Sequence, residues 1–238
     1  MALLPKNEPK EKDVTPKIFY IWGGALSGKT YLARKFPNPV LFNTDGNAKK
    51  VDTPSVELKD FETFIQLLQE VESGNHEFKT IIIDLVDDLK TMLELFVCKK
   101  HGVETLADVG FGKAFAEVNA TWKKTMIRLS HLPYNVIFIS HIKEISEGDN
   151  TIEVPSLEQK YLNVTMGRCD VVIQCRKAGK TYLQLCRDKR DNYEESDIKD
   201  KNVLNILKNV RGVFKVQEQP DGMVKKGEKP MMKKAEVK

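Results

Sequence analysis

No apolar run in this 238-residue chain approaches the ~20 residues that a bilayer-spanning helix needs, so no membrane is expected among its partners. The opening Met1-Ala2-Leu3-Leu4-Pro5 passes directly into mixed charges and lacks the apolar centre of a secretory signal, which predicts a cytoplasmic protein. Cysteine is scarce. Cys98, Cys169, Cys175 and Cys186 form no C-x-x-C pair, which excludes a disulfide framework or a zinc ribbon and leaves reduced thiols as the expectation. Cys98 and His101 have a C-x-x-H spacing, but no second ligand pair stands ready to complete a metal site. Charge of one sign is lacking too: 38 basic residues against 34 acidic leave a net +4, too little to announce nucleic acid by bulk electrostatics. Internal repeats are absent. What remains, 41% hydrophobic and 30% charged, is the composition of a soluble globular protein with room for one α/β domain and tails.

Against that background one segment stands out. Gly23-Gly24-Ala25-Leu26-Ser27-Gly28-Lys29-Thr30 satisfies the phosphate-loop pattern G-x-x-x-x-G-K-[ST] at every required position. It follows an apolar run, Ile18-Phe19-Tyr20-Ile21-Trp22, and precedes a helical pattern, Tyr31 to Phe36. That context is what the chemistry demands: glycines let the backbone wrap a polyphosphate, and successive N–H groups point at the anion. Lys29 would reach the β- and γ-phosphates and the Thr30 hydroxyl would coordinate Mg²⁺. Residues Gly23 to Thr30, extended by Tyr31, are therefore the candidate nucleotide-binding segment.

The rest of the chain reads as strand–helix alternation, the signature of a mainly parallel sheet covered by helices. Residues 1–16, rich in Lys, Glu and Pro, are expected to be a flexible leader, 17–214 the folded domain, and the lysine-rich 215–238 a disordered tail. Strands are predicted at Pro39–Asn43, Ser55–Leu58, Lys79–Asp84 and Asn135–Ser140. Helices are predicted from Phe61 to about Glu72 behind an Asp60 N-cap, from Asp87 to about His101, and from Lys113 to His131. In the last of these, Phe115, Val118, Trp122, Met126 and Leu129 form the apolar stripe. Ile142 to Pro155 reads as a polar segment with a Gly148-Asp149-Asn150 turn, and Asp170–Cys175 with Lys180–Cys186 as a β-hairpin. An amphipathic segment over about Val203 to Val210 closes the domain.

Parallel strands present ligands at their carboxyl ends, so acidic and polar residues there are the next candidates. Asp84 ends the apolar run Ile81-Ile82-Ile83 in the manner of a Walker B carboxylate, which holds Mg²⁺ beside the phosphate-loop threonine; the alternative is that it caps the following helix. Asp45 ends another strand, where a carboxylate could orient or deprotonate the attacking water. His141 follows a third, where it could sense the γ-phosphate and transmit its loss to the loop beyond. Turn-forming or strand-capping roles are the alternatives for both.

With these motifs in view, Lys17 to Arg190 resembles the compact RecA-like NTPases carried by bacteriophages, within the phage AAA-type family that includes Sak-type single-strand annealing proteins. The resemblance implies an α/β RecA-like P-loop fold: a mainly parallel central sheet flanked by helices, with a C-terminal antiparallel β-hairpin. It implies ATP and Mg²⁺ as cofactors and hydrolysis of ATP to ADP and phosphate. It places Asp45 where RecA has its catalytic glutamate and His141 where RecA has its γ-phosphate-sensing glutamine. It also implies single-stranded DNA as a partner, contacted by the loop after His141, with a homo-oligomer and a phage or host replication or recombination protein as further partners, all in the host cytoplasm. Arg187, Lys189 and Arg190 could reach a neighbour's phosphates, line a DNA path or solvate a loop. Two other classes share the phosphate loop: a small-molecule kinase, which needs an arginine-bearing lid, and a nucleotide-dependent loader or adaptor acting on a protein.

Overall fold

Alternation along each strand decides which side chain enters which layer. The computed structural model describes residues 7–8, 14–46, 52–147 and 150–214. Its elements run β1 (Ile18–Gly23), α1 (Lys29–Ala33), β2 (Pro39–Asn43), β3 (Ser55–Glu57), α2 (Phe61–Ser73), β4 (Thr80–Asp84), α3 (Val86–His101), α4 (Lys113–Ser130) and β5 (Asn135–Ser140). They continue with β6 (Ile142–Glu147), β7 (Asn150–Pro155), α5 (Gln159–Met166), β8 (Val171–Ala178), β9 (Thr181–Lys189) and α6 (Lys201–Lys208). The main sheet has the order β3-β2-β4-β5-β1-β8-β9, with every neighbouring pair parallel except β8 and β9. This is the α/β arrangement of a P-loop NTPase.

Both faces of the sheet are covered, which is why its central strands are apolar on successive residues. Tyr20, Trp22, Ile81, Ile83, Val136 and Phe138 face the layer formed by α2, α3, α4 and α5. Phe19, Ile21, Ile82, Ile137 and Ile139 face the other layer, where α1, α6 and the Tyr193–Ile198 segment pack. The fully buried Trp122 of α4 anchors the first layer: its ring meets Tyr161 of α5 edge-on at 5.6 Å between centroids, and its Nε1–H donates to Thr165 Oγ1 at 3.3 Å. Asp60 caps α2 by accepting the Thr63 N–H at 2.7 Å, and Gly74, at φ +71°, ends the same helix.

Several expectations need correction. Ile142 to Pro155, read as a polar segment with a turn and given no strands, forms a two-stranded hairpin, β6–β7; residues 148 and 149 of its expected turn lie outside the described residues. α5 had no predicted counterpart. α1 is shorter than the Tyr31–Phe36 pattern and gives way to a turn at Arg34. The stripe of α4 begins at Ala114 rather than Phe115, whose ring is 40% exposed. Of the expected leader, residues 1–6 and 9–13 lie outside the described residues, whereas 14–16 belong to the folded domain: Val14 packs against the second layer and Thr15 Oγ1 donates to the Asp197 carbonyl at 3.1 Å; the tail from 215 lies outside entirely.

Replacing Trp122 by Ala removes the largest fully buried side chain from the α4–α5 contact. The expected cost is about 3–5 kcal/mol, read as a lowered urea midpoint at unchanged slope.

Candidate functional site

Register brings the strand ends to one level. Trp22 of β1 is opposite Ser140 of β5, Ile139 of β5 is opposite Asp84 of β4, and Asp84 is opposite Asn43 of β2. The phosphate loop, His141, Asp84 and Asp45 therefore share one edge of the sheet, as parallel pairing predicts.

The loop leaves β1 at Gly23, where a β-carbon would lie 2.2 Å from the Cys175 carbonyl oxygen; only glycine lets β8 close on it. Leu26 (φ +57°) and Gly28 (φ +88°) both adopt the left-handed conformation, which turns the loop and gathers backbone N–H groups into an anion-binding concavity. Ser27 Oγ is buried there with no hydrogen-bond partner among the described residues. Lys29, only 6% exposed, donates from Nζ to the carbonyls of Gly23 and Gly24, both at 2.9 Å. Burial holds its ammonium below the ordinary lysine range, and Asp84 opposes that shift.

The Thr30 hydroxyl donates to Asp84 Oδ2 at 2.6 Å, joining the two predicted metal-binding residues. Asp84 is 4% exposed; burial pushes its carboxyl above the usual range, the Thr30 bond lowers it, and the charge of Asp45 adds to the rise. The capping alternative fails, because α3 starts behind Leu85 and receives no side-chain cap. Asp45 is exposed and accepts the Asn43 Nδ2–H at 2.8 Å. Thr44 stitches the two strand ends together. Its N–H donates to the Asp84 carbonyl at 2.7 Å, and its hydroxyl donates to Asp88 Oδ2 and accepts the Leu85 N–H, both at 2.8 Å.

His141 stands at the root of β6, with Nδ1 3.5 Å from Lys29 Nζ. Its backbone is held by a residue that sequence reasoning read only as the start of a helix. Asp87 accepts the Ser140 hydroxyl and the His141 N–H, each at 2.9 Å, and also bonds the Ser156 hydroxyl. The Ser156 N–H in turn donates to the His141 carbonyl at 3.0 Å. Asp87 thus clasps both roots of the β6–β7 hairpin. Burial raises its carboxyl, and these bonds oppose the rise. The spacing of Asp84 and Asp87, three residues apart, was the available signal.

The basic residues beyond the hairpin are engaged within the chain. Arg187 Nε donates to Gln174 Oε1 at 2.7 Å, Lys189 Nζ to the Val213 carbonyl at 2.6 Å, and Arg190 Nε to Asp170 Oδ1 at 3.1 Å. Arg168 donates to the Val164 carbonyl at 2.6 Å and Arg176 to Glu153 Oε2 at 2.7 Å. These arginines are spread over separate intrachain bonds and do not converge as a lid.

A buried ammonium bonded to carbonyls, an orphaned serine hydroxyl and a hydroxyl–carboxylate pair together form a donor set suited to a polyphosphate with a divalent cation. Thr30 and Asp84 would hold the cation. Fold and site define a P-loop NTPase-type domain. The family described as an AAA domain matches residues 15–211, and the chain belongs to it; AAA-type P-loop domains bind nucleotides, with Mg²⁺ typical. Over 241 aligned residues the chain is 23% identical to the SPbeta prophage-derived uncharacterized protein YorG of Bacillus subtilis (strain 168), covering 92% of this chain and 73% of that protein. The similarity links the chain to phage-derived proteins. Among the described residues no helix is long and apolar enough to cross a membrane.

A carboxyl raised on folding binds its proton more tightly in the native state. Its contribution is therefore fully present below the unfolded value, near 3.8, and is lost as pH rises through the higher native value. Asp84 and Asp87 act with the same sign. In the presence of a metal chelator, the wild-type melting temperature is expected to fall as pH rises through the native values of these two carboxyls. Asp84→Asn should flatten that fall and melt above wild type at pH 7, and a variant that melts below wild type there would contradict the assignment.

Proposed function

We propose that the protein is a RecA-like phage ATPase that acts on single-stranded DNA in recombination or replication, in the manner of Sak-type annealing proteins, and that ATP sets the posture of the β6–β7 hairpin. The observation that carries this reading is the short path from phosphate loop to hairpin. Lys29 Nζ lies 3.5 Å from His141 Nδ1, and the His141 backbone is fixed by Asp87, three residues beyond Asp84.

In this reading the Gly23–Thr30 loop and the adjoining Tyr31 backbone cradle the phosphates. Lys29 exchanges its carbonyl partners for the β- and γ-phosphates. Bound Mg²⁺ would supply charge neutralisation on the phosphate oxygens, with Thr30 and Asp84 as its ligands. Asp45, exposed at the end of β2 and steadied by Asn43, orients or deprotonates the attacking water. His141 registers the γ-phosphate end and passes its state to the hairpin. A cleft of about 740 Å³, lined by residues that include Trp22, Glu144, Glu153 and Arg176, separates much of the hairpin from β8 and β9. Glu153, bonded to Gln174 and Arg176, bridges it.

One observation favours a second reading. Ile142 to Pro155 carries Lys143 against Glu144, Glu147, Asp149 and Glu153. Nucleic-acid affinity rests largely on phosphate neutralisation, and this segment repels phosphate. An acidic hairpin suits a basic protein surface, which is the situation of a nucleotide-dependent loader or adaptor for a phage or host replication or recombination protein.

The test is ATP hydrolysis with and without single-stranded DNA at two salt concentrations. Lys29→Ala is expected to lower turnover by roughly a hundredfold, as loss of one strong electrostatic stabiliser does. Stimulation by DNA that fades with added salt supports the DNA reading. Turnover indifferent to DNA, together with no DNA binding, overturns it in favour of the adaptor.

A further inference from the structure

The nucleotide reading leaves one feature beside the phosphate loop without a role. β8 pairs with β1 as far as Cys175 opposite Gly23, yet it continues to Ala178. Three residues therefore project past the start of the phosphate loop, about 10 Å of extended chain. The chain reverses at Gly179, whose φ of +59° suits glycine, and Lys180, then returns as β9 with Tyr182 opposite Lys177. At this overhang Tyr182 touches the loop itself. A β-carbon built on Gly28 would lie 3.2 Å from Tyr182 Cδ1 and 3.7 Å from Cε1. The ring thus stands against the residue that immediately precedes Lys29, while the side chain remains 48% exposed and Lys177 Nζ sits 5.5 Å from the ring centroid.

Strand order gives this placement a direction. Asp84, Asp45 and His141 all follow strands on one side of β1, namely β4, β2 and β5, whereas β8 and β9 lie on the other. A nucleoside triphosphate seated in the loop with its metal-bearing γ end toward Asp84 extends its base away from that side, toward the β8–β9 overhang. An exposed tyrosine contributes little to a core, but a flat π surface beside a phosphate site is what a nucleobase needs.

We infer that Tyr182 is the platform on which the base of the bound nucleoside triphosphate stacks, with Gly28 kept small so that the ring can approach the phosphate loop. This rests on the nucleotide reading above. Stacking engages any base, so the platform contributes affinity rather than a choice between adenine and guanine. Tyr31 is the competing aromatic: it is 65% exposed on α1 and, like Tyr182, has a lysine over its ring, with Lys35 Nζ at 4.4 Å standing closer than the 5.5 Å of Lys177 Nζ.

The experiment compares binding of ATP and of inorganic tripolyphosphate, each with Mg²⁺, to the wild-type chain and to Tyr182→Ala, Tyr182→Phe and Tyr31→Ala. Expected is a loss of about tenfold or more in ATP affinity for Tyr182→Ala, with tripolyphosphate affinity unchanged and ATP affinity restored in Tyr182→Phe. Unchanged ATP affinity in Tyr182→Ala, a parallel loss of both ligands, or a loss confined to Tyr31→Ala overturns the platform while leaving the nucleotide reading intact. A wild-type chain that binds neither ligand overturns both.

Discussion

Lys29 and Asp84 bring opposite charges into the protein interior at one edge of the sheet, 6% and 4% exposed, and much of the fold exists to keep them there. Burial disfavours both charged forms, which is the first cause of the lowered lysine and the raised aspartate. Local compensation is partial: two backbone carbonyls for the ammonium and one threonine hydroxyl for the carboxylate. Such an arrangement is costly unless the neighbours are held rigidly. β5 lies between β1 and β4, so the levels of Lys29 and Asp84 depend on two parallel registers at once. The apolar layers on both faces fix those registers. A polyphosphate and a divalent cation would complete the charge balance that the protein alone leaves unfinished.

How legible this was in the sequence follows from the range of each interaction. The phosphate loop is local, with its constraints inside eight residues, and the structure holds the Gly23–Thr30 loop in the expected strand–loop–helix setting. Asp84 was legible because a strand buried on both faces leaves an uninterrupted apolar run that ends where the carboxylate begins. The hairpin β6–β7 was not, since in β6 Ile142 and Ile145 fall three apart and fit no two-residue alternation, and only Ile152 and Val154 of β7 do; it is held instead by pairings such as Ile145 with Ile152 and by Glu153 reaching Gln174 and Arg176. Phe115 looked like core because it has the spacing of one, but Ala114 points inward and leaves the larger ring at the rim. Asp87 was visible only as a helix opener, because its partners Ser140 and His141 lie more than fifty residues downstream.

That same Asp87 changes how the site is divided. Asp84 and Asp87 belong to one short stretch that crosses from the end of β4 into α3, yet one faces Thr30 and the other the roots of β6 and β7. Any displacement of the β4 end is therefore felt at both places, and Thr44 adds β2 to the same unit through Asp88 and Leu85. In the proposed reading, the pair that would hold the cation, the strand that carries Asp45 and the hairpin root would therefore shift together. This is a physical basis for coupling that requires no long relay, only a rigid junction whose two arms meet different ligands.

The two hairpins at this edge have different characters. The one rooted at His141 is acidic and lies on the Asp84 side of the loop; the one ending at Lys177, Lys180 and Tyr182 carries cations and an aromatic ring on the opposite side. A ligand shifts a conformational equilibrium only through contacts that differ between its states. Triphosphate and diphosphate differ at the γ end alone, so a nucleotide held between the hairpins would change only its contacts with Lys29 and the His141 side on hydrolysis, and those at Tyr182 would persist. Affinity would then be set at one hairpin and switching at the other. The product could stay bound while the acidic hairpin relaxes, which would give the protein a diphosphate state distinct from its free state.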